Sequence, residues 1–407
     1  MRILYNIVIF TYTGIIHIAS LFNHRALLWV RGRNGWYKNL SDSPLSGSKV
    51  VWVHCASLGE FEQGRPIIER IKSDNPEVKI LLTFFSPSGY EVRKNYNGAD
   101  YICYLPADTS QNATRFIDKV KPSQVIFIKY EFWNNFISTL YKNKIPVYLV
   151  SAIFRKNQMF FKWYGLFFRK LLKKFDHIFV QNTESVNLLK NIGLVNVTLA
   201  GDTRFDRVRQ ITDAARDLPE IKKFKGDEKI FLAGSSWRPD EVIIANYINV
   251  YPGKMKWIFA PHEIDIANIE RLEKLFTIKT VRYSDLVENS EDSRVLIIDN
   301  IGMLSSVYRY AFIAAVGGGF GKGIHNILEA ASWGIPVVFG PNYEKFQEAN
   351  AMIREGGAKT FSNYIEFESI INKWLSDDEQ YRLDAMAAGK YVITNTGATD
   401  LIMSKIL

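Results

Sequence analysis

The chain has 407 residues, 47% hydrophobic and 23% charged, with a formal net charge of +9. The length suggests two domains, or three, and the composition excludes a disordered or low-complexity chain. Two cysteines, Cys55 and Cys103, exclude a disulfide framework and a cysteine metal site, while the positive charge favours an acidic partner: nucleic acid, an anionic membrane surface or a phosphorylated substrate.

Residues 3–22, ILYNIVIFTYTGIIHIASLF, contain no Lys, Arg, Asp or Glu. As a helix they would extend about 30 Å, close to a bilayer core. Asn6 and His17 argue against a spanning segment, and Arg25, Arg31 and Arg33 would hold the following chain on the cytoplasmic side. No basic n-region or cleavage site of a secretory signal stands out. Residues 1–30 are therefore expected to associate with a membrane, spanning or interfacial; a helix docked on the protein body is the alternative.

Short apolar runs then alternate with amphipathic segments. Strands are expected at 50–54, 79–85, 101–106, 124–129, 146–152, 177–181 and 197–201. A charged, weakly periodic stretch at 206–228 reads as an inter-domain connection. The pattern restarts at 229–234, 256–261, 280–283, 294–299, 312–318, 336–340 and 358–361, and residues 377–407 read as helices. The fold class is α/β: Rossmann-like domains at 31–205 and 229–376, each a parallel sheet covered on both faces. Ligands would bind in a cleft at the carboxyl ends of the strands.

Two turns carry chemistry. HCASLGEFEQG (54–64) follows the first strand and places Glu60 directly after Gly59. The carboxylate serves either as a base or only as a partner of the helix dipole. AVGGGFGKGIHNILEAASWGIPVVFGP (315–341) runs from a strand through Gly317, Gly318, Gly319, Gly321 and Gly323 into a helix expected from His325 to Trp333. Backbone N–H groups there suit an anion, although tight packing also selects glycine. The loop has neither a Walker ending nor dinucleotide-fold glycine spacing. Asn326 and Glu329, three apart, fit a ribose beside that anion, or merely cap the helix. Ser236 and Arg238 (AGSSWRPDE), Pro261 and His262 (APHEID) and Gly302 (DNIGMLSSVYR) also lie beyond strands. In the first half, Arg155 and Lys156 are further anion candidates. The aromatic-basic stretch 159–175, MFFKWYGLFFRKLLKKF, reads as a membrane-contacting segment or as a core-packing helix with a basic face.

Taken together, HCASLGEFEQG, FFSPSGYEVRK, KYEFWNN, GDTRFD, AGSSW, DNIGML and GGGFGKGIHNILEAASWGIPVVFGPNYEKF resemble, in order and over nearly the whole chain, the 3-deoxy-D-manno-octulosonic acid (Kdo) transferases. The resemblance implies a GT-B glycosyltransferase of lipopolysaccharide assembly, with an N-terminal membrane-associated helix. It would move Kdo from CMP-Kdo to the lipid A precursor (lipid IVA) on the cytoplasmic face of the bacterial inner membrane. It also implies Glu60 as general base, Glu131 and Arg204 as transition-state partners, and CMP contacts at Pro261-His262, Ile301-Gly302-Met303 and Asn326-Ile327-Leu328-Glu329. The family's Pro-Arg-His is Pro261-His262-Glu263 here, its Met-Gly-Glu is Ile301-Gly302-Met303, and its Trp-Pro is Trp133-Asn134. Gly318, Gly319, Ser236 and Arg238 are the candidates for holding the leaving phosphate. No Asp-x-Asp pair or His/Cys cluster stands out, so no metal and no cofactor beyond the donor substrate is expected. The rivals are a UDP-sugar transferase or epimerase of the same fold and a basic nucleic-acid-binding protein. The second lacks a recognition motif, and no nucleic-acid partner is expected.

Overall fold

A computed structural model describes residues 1–286 and 292–406. The chain divides into two compact units: Met1–Arg207, which resumes at Thr396, and Val208–Asn395.

The first unit is a seven-stranded parallel sheet. Its strands are β1 (Val50–Cys55), β2 (Lys79–Phe84), β3 (Tyr101–Tyr104), β4 (Gln124–Ile128), β5 (Val147–Ala152), β6 (His177–Val180) and β7 (Val197–Leu199), in the order β3-β2-β1-β4-β5-β6-β7. β1 reads Val-Val-Trp-Val-His-Cys without a polar alternation because both of its faces are buried. Trp52 enters one core layer with Leu81, Phe116, Phe127 and Phe136. Val51 and Val53 enter the other with Phe61, Ile68, Ile126 and Ile402. Ile402 belongs to the last helix, Ala398–Ile406, whose start is tied down by Asp206: its carboxylate accepts from Gly397 N and Thr399 N, each at 2.6 Å.

The second unit repeats the design with β8 (Lys229–Ser236), β9 (Met255–Pro261), β10 (Thr280–Arg282), β11 (Val295–Ile297), β12 (Ile313–Val316), β13 (Val337–Phe339) and β14 (Ala358–Thr360). The order is β10-β11-β9-β8-β12-β13-β14. Phe231, Trp257, Phe259, Phe367 and Trp374 anchor its core.

Every strand expected from the sequence is present, within a few residues of its bounds. The stretch 206–228 is different: it carries most of the helix Arg204–Asp213 and the helix Pro219–Lys225. Ile221 and Phe224 are buried, which the high charge of the stretch obscured. The C-terminal helices fall into both units, since Asp378–Thr394 belongs to the second and Ala398–Ile406 to the first. Leu407 lies outside the described residues.

The apolar N-terminus forms the helix Arg2–Ala19, long and apolar enough to cross a membrane. Its polar side chains hold it on the first unit. Tyr5 OH donates to Asp108 Oδ2 at 2.5 Å, Asn135 Nδ2 donates to Asn6 Oδ1 at 2.9 Å, and Tyr12 stacks on Phe85. Ile3, Ile7, Phe10, Ile15 and Ile18 are exposed. The stretch 159–175 divides between the two readings offered for it: Phe160, Leu171 and Leu172 are buried, whereas Trp163 is 89% exposed and Tyr164 and Leu166 are also exposed. Phe167 packs on Tyr5, joining the two apolar surfaces.

Candidate active site

In each sheet the strand order reverses direction at a central strand pair, and ligands of open parallel sheets collect beyond the carboxyl ends at such a point. In the first unit the pair is β1 and β4, followed by Ala56–Glu60 and Lys129–Glu131 respectively. In the second it is β8 and β12, followed by Trp237 and by Gly317–Gly319. The two turns singled out from sequence, with Glu60 and with Gly317–Gly319, therefore stand at the reversal points. Backbone strain does as well. Lys129 (φ 72°) and Ser151 (φ 54°) in the first unit, and Ser235 (φ 49°) in the second, hold left-handed conformations at strand ends, which side-chain-bearing residues avoid unless the surroundings enforce them.

Glu60 lies in the first turn of the helix Leu58–Asp74. Ser57-x-x-Glu60 has the spacing of a capping box, but the geometry differs. The Ser57 hydroxyl donates to Glu60 Oε2 rather than accepting from the helix backbone, so the carboxylate is held by a hydroxyl at the turn. Gly89, from FFSPSGY, packs against that turn: a Cβ there would lie 3.0 Å from Ser57 C. Cys55, next to the turn, is fully buried, and burial pushes its thiol well up, with the Glu60 carboxylate adding to the effect.

Glu131 is 6% exposed. His54 Nε2 lies 3.0 Å from its Oε2, and Trp133 Nε1 donates to the same oxygen at 2.5 Å. Trp133 keeps this contact although the following residue is Asn134. Arg204 pairs with Asp202: Nε and a terminal nitrogen both donate to Oδ2, at 2.9 and 2.8 Å. Burial works to raise the Asp202 pKa, but Arg204 and the Gln63 amide outweigh it and hold the carboxylate below its usual range. Burial raises the Tyr130 pKa, with Arg155 working against it and the Glu60 carboxylate adding to it.

In the second unit, Gly317 donates to Gly234 O at 3.0 Å and Gly318 to Asp240 Oδ2 at 3.2 Å. The Gly319 and Phe320 amides carry no partner among the described residues. Close approach explains the glycines: a Cβ on Gly317 would lie 2.2 Å from Ser235 O, and one on Gly319 would lie 2.6 Å from the Gly340 backbone. The helix expected over 325–333 is a single turn, Leu328–Ala331, and residues 323–326 form no regular element. Asn326 accepts from Leu328 N at 3.2 Å and donates to Glu329 Oε1 at 3.0 Å. Ile327 and Leu328 bury their side chains, and their carbonyls accept from Ala331 N and Ser332 N.

Other candidates are placed unequally. The Ser236 hydroxyl donates to the buried Glu241 at 2.9 Å, and Glu241 also accepts from Arg271. Arg238 is exposed in the first turn of the helix Arg238–Val250. Pro261 is buried at the end of β9, and His262 is exposed. Ile301 is 88% exposed, Gly302 takes φ 99°, and the helix after Met303 begins at Leu304.

Three neighbours escaped the sequence reading. Trp237 Nε1 donates to His325 Nε2 at 2.8 Å with the rings 7° from coplanar, and His262 stacks on both, 4.6 Å from each centroid. Burial, reinforced by His262, lowers the His325 pKa to about 4, so the ring is neutral and carries its proton on Nδ1. Asp240 accepts from Trp237 N at 3.0 Å and from Gly318 N, yet burial raises its pKa to about 6. Trp-Arg-Pro-Asp after a strand was a legible helix start, but nothing in the sequence linked it to His325. Among the described residues, no group of three or more His, Cys, Asp or Glu is arranged to hold a metal.

Comparisons with known proteins bear on these sites. The family model for 3-deoxy-D-manno-octulosonic acid transferase (Kdo transferase) matches residues 30–207. The chain is 30% identical to the 3-deoxy-D-manno-octulosonic acid transferase of Aquifex aeolicus, over 82% of this chain and 88% of that protein. It is 26% identical to the enzyme of the same name from Haemophilus influenzae, over 91% and 89%. A crystal structure of a UDP-N-acetylglucosamine 2-epimerase superposes with TM-score 0.59 at 14% identity, over 88% of this chain and 96% of that one, which is a likeness of fold. With two seven-stranded parallel sheets and this identity along most of its length, the chain belongs to the 3-deoxy-D-manno-octulosonic acid transferase family, GT-B glycosyltransferases of lipopolysaccharide synthesis.

Proposed function

We propose that this chain moves Kdo from CMP-Kdo to a lipid A precursor, lipid IVA, with inversion at the anomeric carbon and Glu60 as general base. The observation that carries the reading is the opposite chemistry of the two reversal points. The first unit presents Glu60 and Glu131 beyond β1 and β4, and the second presents glycine amides and a Trp–His platform beyond β8 and β12.

The acceptor hydroxyl is a poor nucleophile until a base within hydrogen-bond reach takes its proton. Glu60, exposed enough to meet a substrate and held by Ser57, suits that task. CMP leaves as a phosphate monoester, and preorganised amides such as those of Gly319 and Phe320 suit its growing charge. Asn326 and Glu329 suit the ribose, and the planar Trp237–His325 pair suits a nucleobase. Arg204 and Glu131 complete the polar surroundings of the reacting sugar. Incubation of the purified protein with CMP-Kdo and lipid IVA, read by mass spectrometry, is expected to give Kdo-bearing lipid. Turnover of UDP-sugars in place of CMP-Kdo would overturn the reading and favour the epimerase-like alternative.

The acceptor is a lipid, and the first unit exposes apolar surface for meeting one. Phe10 and Trp163 stand on adjoining exposed surfaces, and Lys170 and Lys173 are exposed nearby in sequence. This arrangement suits an anionic inner-membrane surface, approached from the cytoplasmic side. Large apolar side chains contribute about 1.5–3 kcal/mol each when buried, so the double change Phe10→Glu/Trp163→Glu is expected to weaken binding to phosphatidylglycerol vesicles at least about tenfold. Unchanged co-sedimentation would remove this surface from the membrane contact.

A further inference from the structure

The first unit contains a buried polar chain that no step above uses. Trp52 Nε1 donates to Thr83 Oγ1 at 2.7 Å, Thr83 Oγ1 lies 2.8 Å from His54 Nδ1, and His54 Nε2 lies 3.0 Å from Glu131 Oε2. Trp52, Thr83 and His54 are all 0% exposed. The chain crosses from β1 to β2, back to β1 and on to the loop after β4, ending at the reversal point.

Donor and acceptor chemistry fixes the direction of this chain. An indole N–H only donates, so Thr83 Oγ1 must accept from Trp52. Among the described residues, the Thr83 hydroxyl proton then has one acceptor within reach, His54 Nδ1. If Nδ1 carried a proton instead, the buried hydroxyl proton would be unsatisfied, at a cost of about 1–3 kcal/mol. His54 is therefore the neutral tautomer with its proton on Nε2, donating to Glu131. Trp133 Nε1, also donor-only, gives its proton to the same Oε2; its 3.2 Å approach to His54 Nε2 is two donors converging on one oxygen. Both bonds thus end on Oε2, and among the described residues no hydrogen bond reaches Glu131 Oε1.

We infer that His54 is a positioning residue for the transfer reaction. The Trp52–Thr83 pair sets its tautomer, and His54 with Trp133 clamps Oε2 so that Oε1 is presented to the substrate in one orientation. The inference rests on the reading that Glu131 faces the reacting sugar. It gives a purpose to the histidine of HCASLGE that a buried structural imidazole would not have, since the ring points its one proton at that carboxylate. Misplacement of a reacting group by about 1 Å costs on the order of 10²-fold in rate, so the clamp is expected to act on kcat.

The test is steady-state transfer from CMP-Kdo to lipid IVA by the full-length protein and five variants. Glu131→Gln tests the underlying reading, and near-parental turnover there removes it. With Glu131→Gln impaired, His54→Leu is expected to lower kcat about 10–100-fold with the CMP-Kdo KM within about twofold. His54→Gln, whose amide N–H replaces Nε2–H, is expected to recover most of that loss. Thr83→Val, nearly isosteric, frees the tautomer and is expected to lower kcat about tenfold. If His54→Leu does not fold, Thr83→Val and Trp133→Phe carry the test. Parental kcat in His54→Leu and Thr83→Val, or equal loss in His54→Gln and His54→Leu, overturns the positioning role while leaving Glu131 in place.

Discussion

Glu60→Gln is expected to lower kcat for Kdo transfer by about 10²–10⁴-fold, the range a general base supplies, while CMP affinity stays within about twofold. The two readouts separate because the residues suited to the donor belong to the second unit, whereas Glu60 sits on the first. Stability should hardly move. A carboxylate in a first helical turn contributes about 0.3–1 kcal/mol through the dipole, and the Gln carbonyl can still accept from the Ser57 hydroxyl. A dipole role alone would therefore give a slightly softened protein with parental turnover, and that result would end the assignment of Glu60 as base. Single-turnover rates with the donor pre-bound, beside an isothermal titration with CMP, distinguish the outcomes.

Gly317→Ala is expected to disrupt donor binding and to lower the thermal midpoint by several degrees. The added Cβ would lie 2.2 Å from Ser235 O and 2.7 Å from Ser236 Cα. Both are backbone atoms, so no side chain can swing aside, and Ser235 already holds φ 49°. Overpacking of this kind typically costs 1–3 kcal/mol, and a loop displaced at the β8–β12 junction carries Gly318 and Gly319 with it. An accompanying fall in CMP affinity of about tenfold or more corresponds to roughly 1.4 kcal/mol. Gly321→Ala is the matched control: its Cβ would meet only Gly318 O, at 3.6 Å, in ordinary contact. Parental stability and CMP affinity in Gly317→Ala, measured by calorimetry, would show that the tight junction is not what shapes the loop.

The two glycine positions also show how far sequence reasoning reached. That 317–323 is a tight, glycine-dependent loop was legible, because a run of glycines after an apolar strand has few other uses. Which glycines are required by packing was not. Gly317 meets a backbone 82 residues upstream and Gly319 meets Gly340, and neither distance is encoded locally. Asn326 and Glu329, expected on one helical face, hydrogen-bond to each other, although Asn326 lies ahead of the single turn Leu328–Ala331. Arg204 shows the opposite case, since Asp202 and Asp206 stand two residues to either side of it. The structure gives Asp202 to Arg204 and commits Asp206 to the start of the last helix, 191 residues away in sequence.

The strands of the described residues and the fold class were legible in the residue pattern alone. A parallel strand buried on both faces must be an unbroken apolar run, and such runs end where turn residues begin. The sequence also determined which turns carry carboxylates and which carry glycines. Strand order supplied the rest. Setting β1 beside β4 brings His54 to Glu131 across 77 residues, and setting β8 beside β12 brings Trp237 to His325 across 88. Periodicity reports how each segment is buried but carries no information about which distant segment lies beside it. In HCASLGEFEQG, therefore, Glu60 was visible as a carboxylate at a turn, while the place of His54 beside Glu131 emerged only once β1, β2 and β4 were side by side.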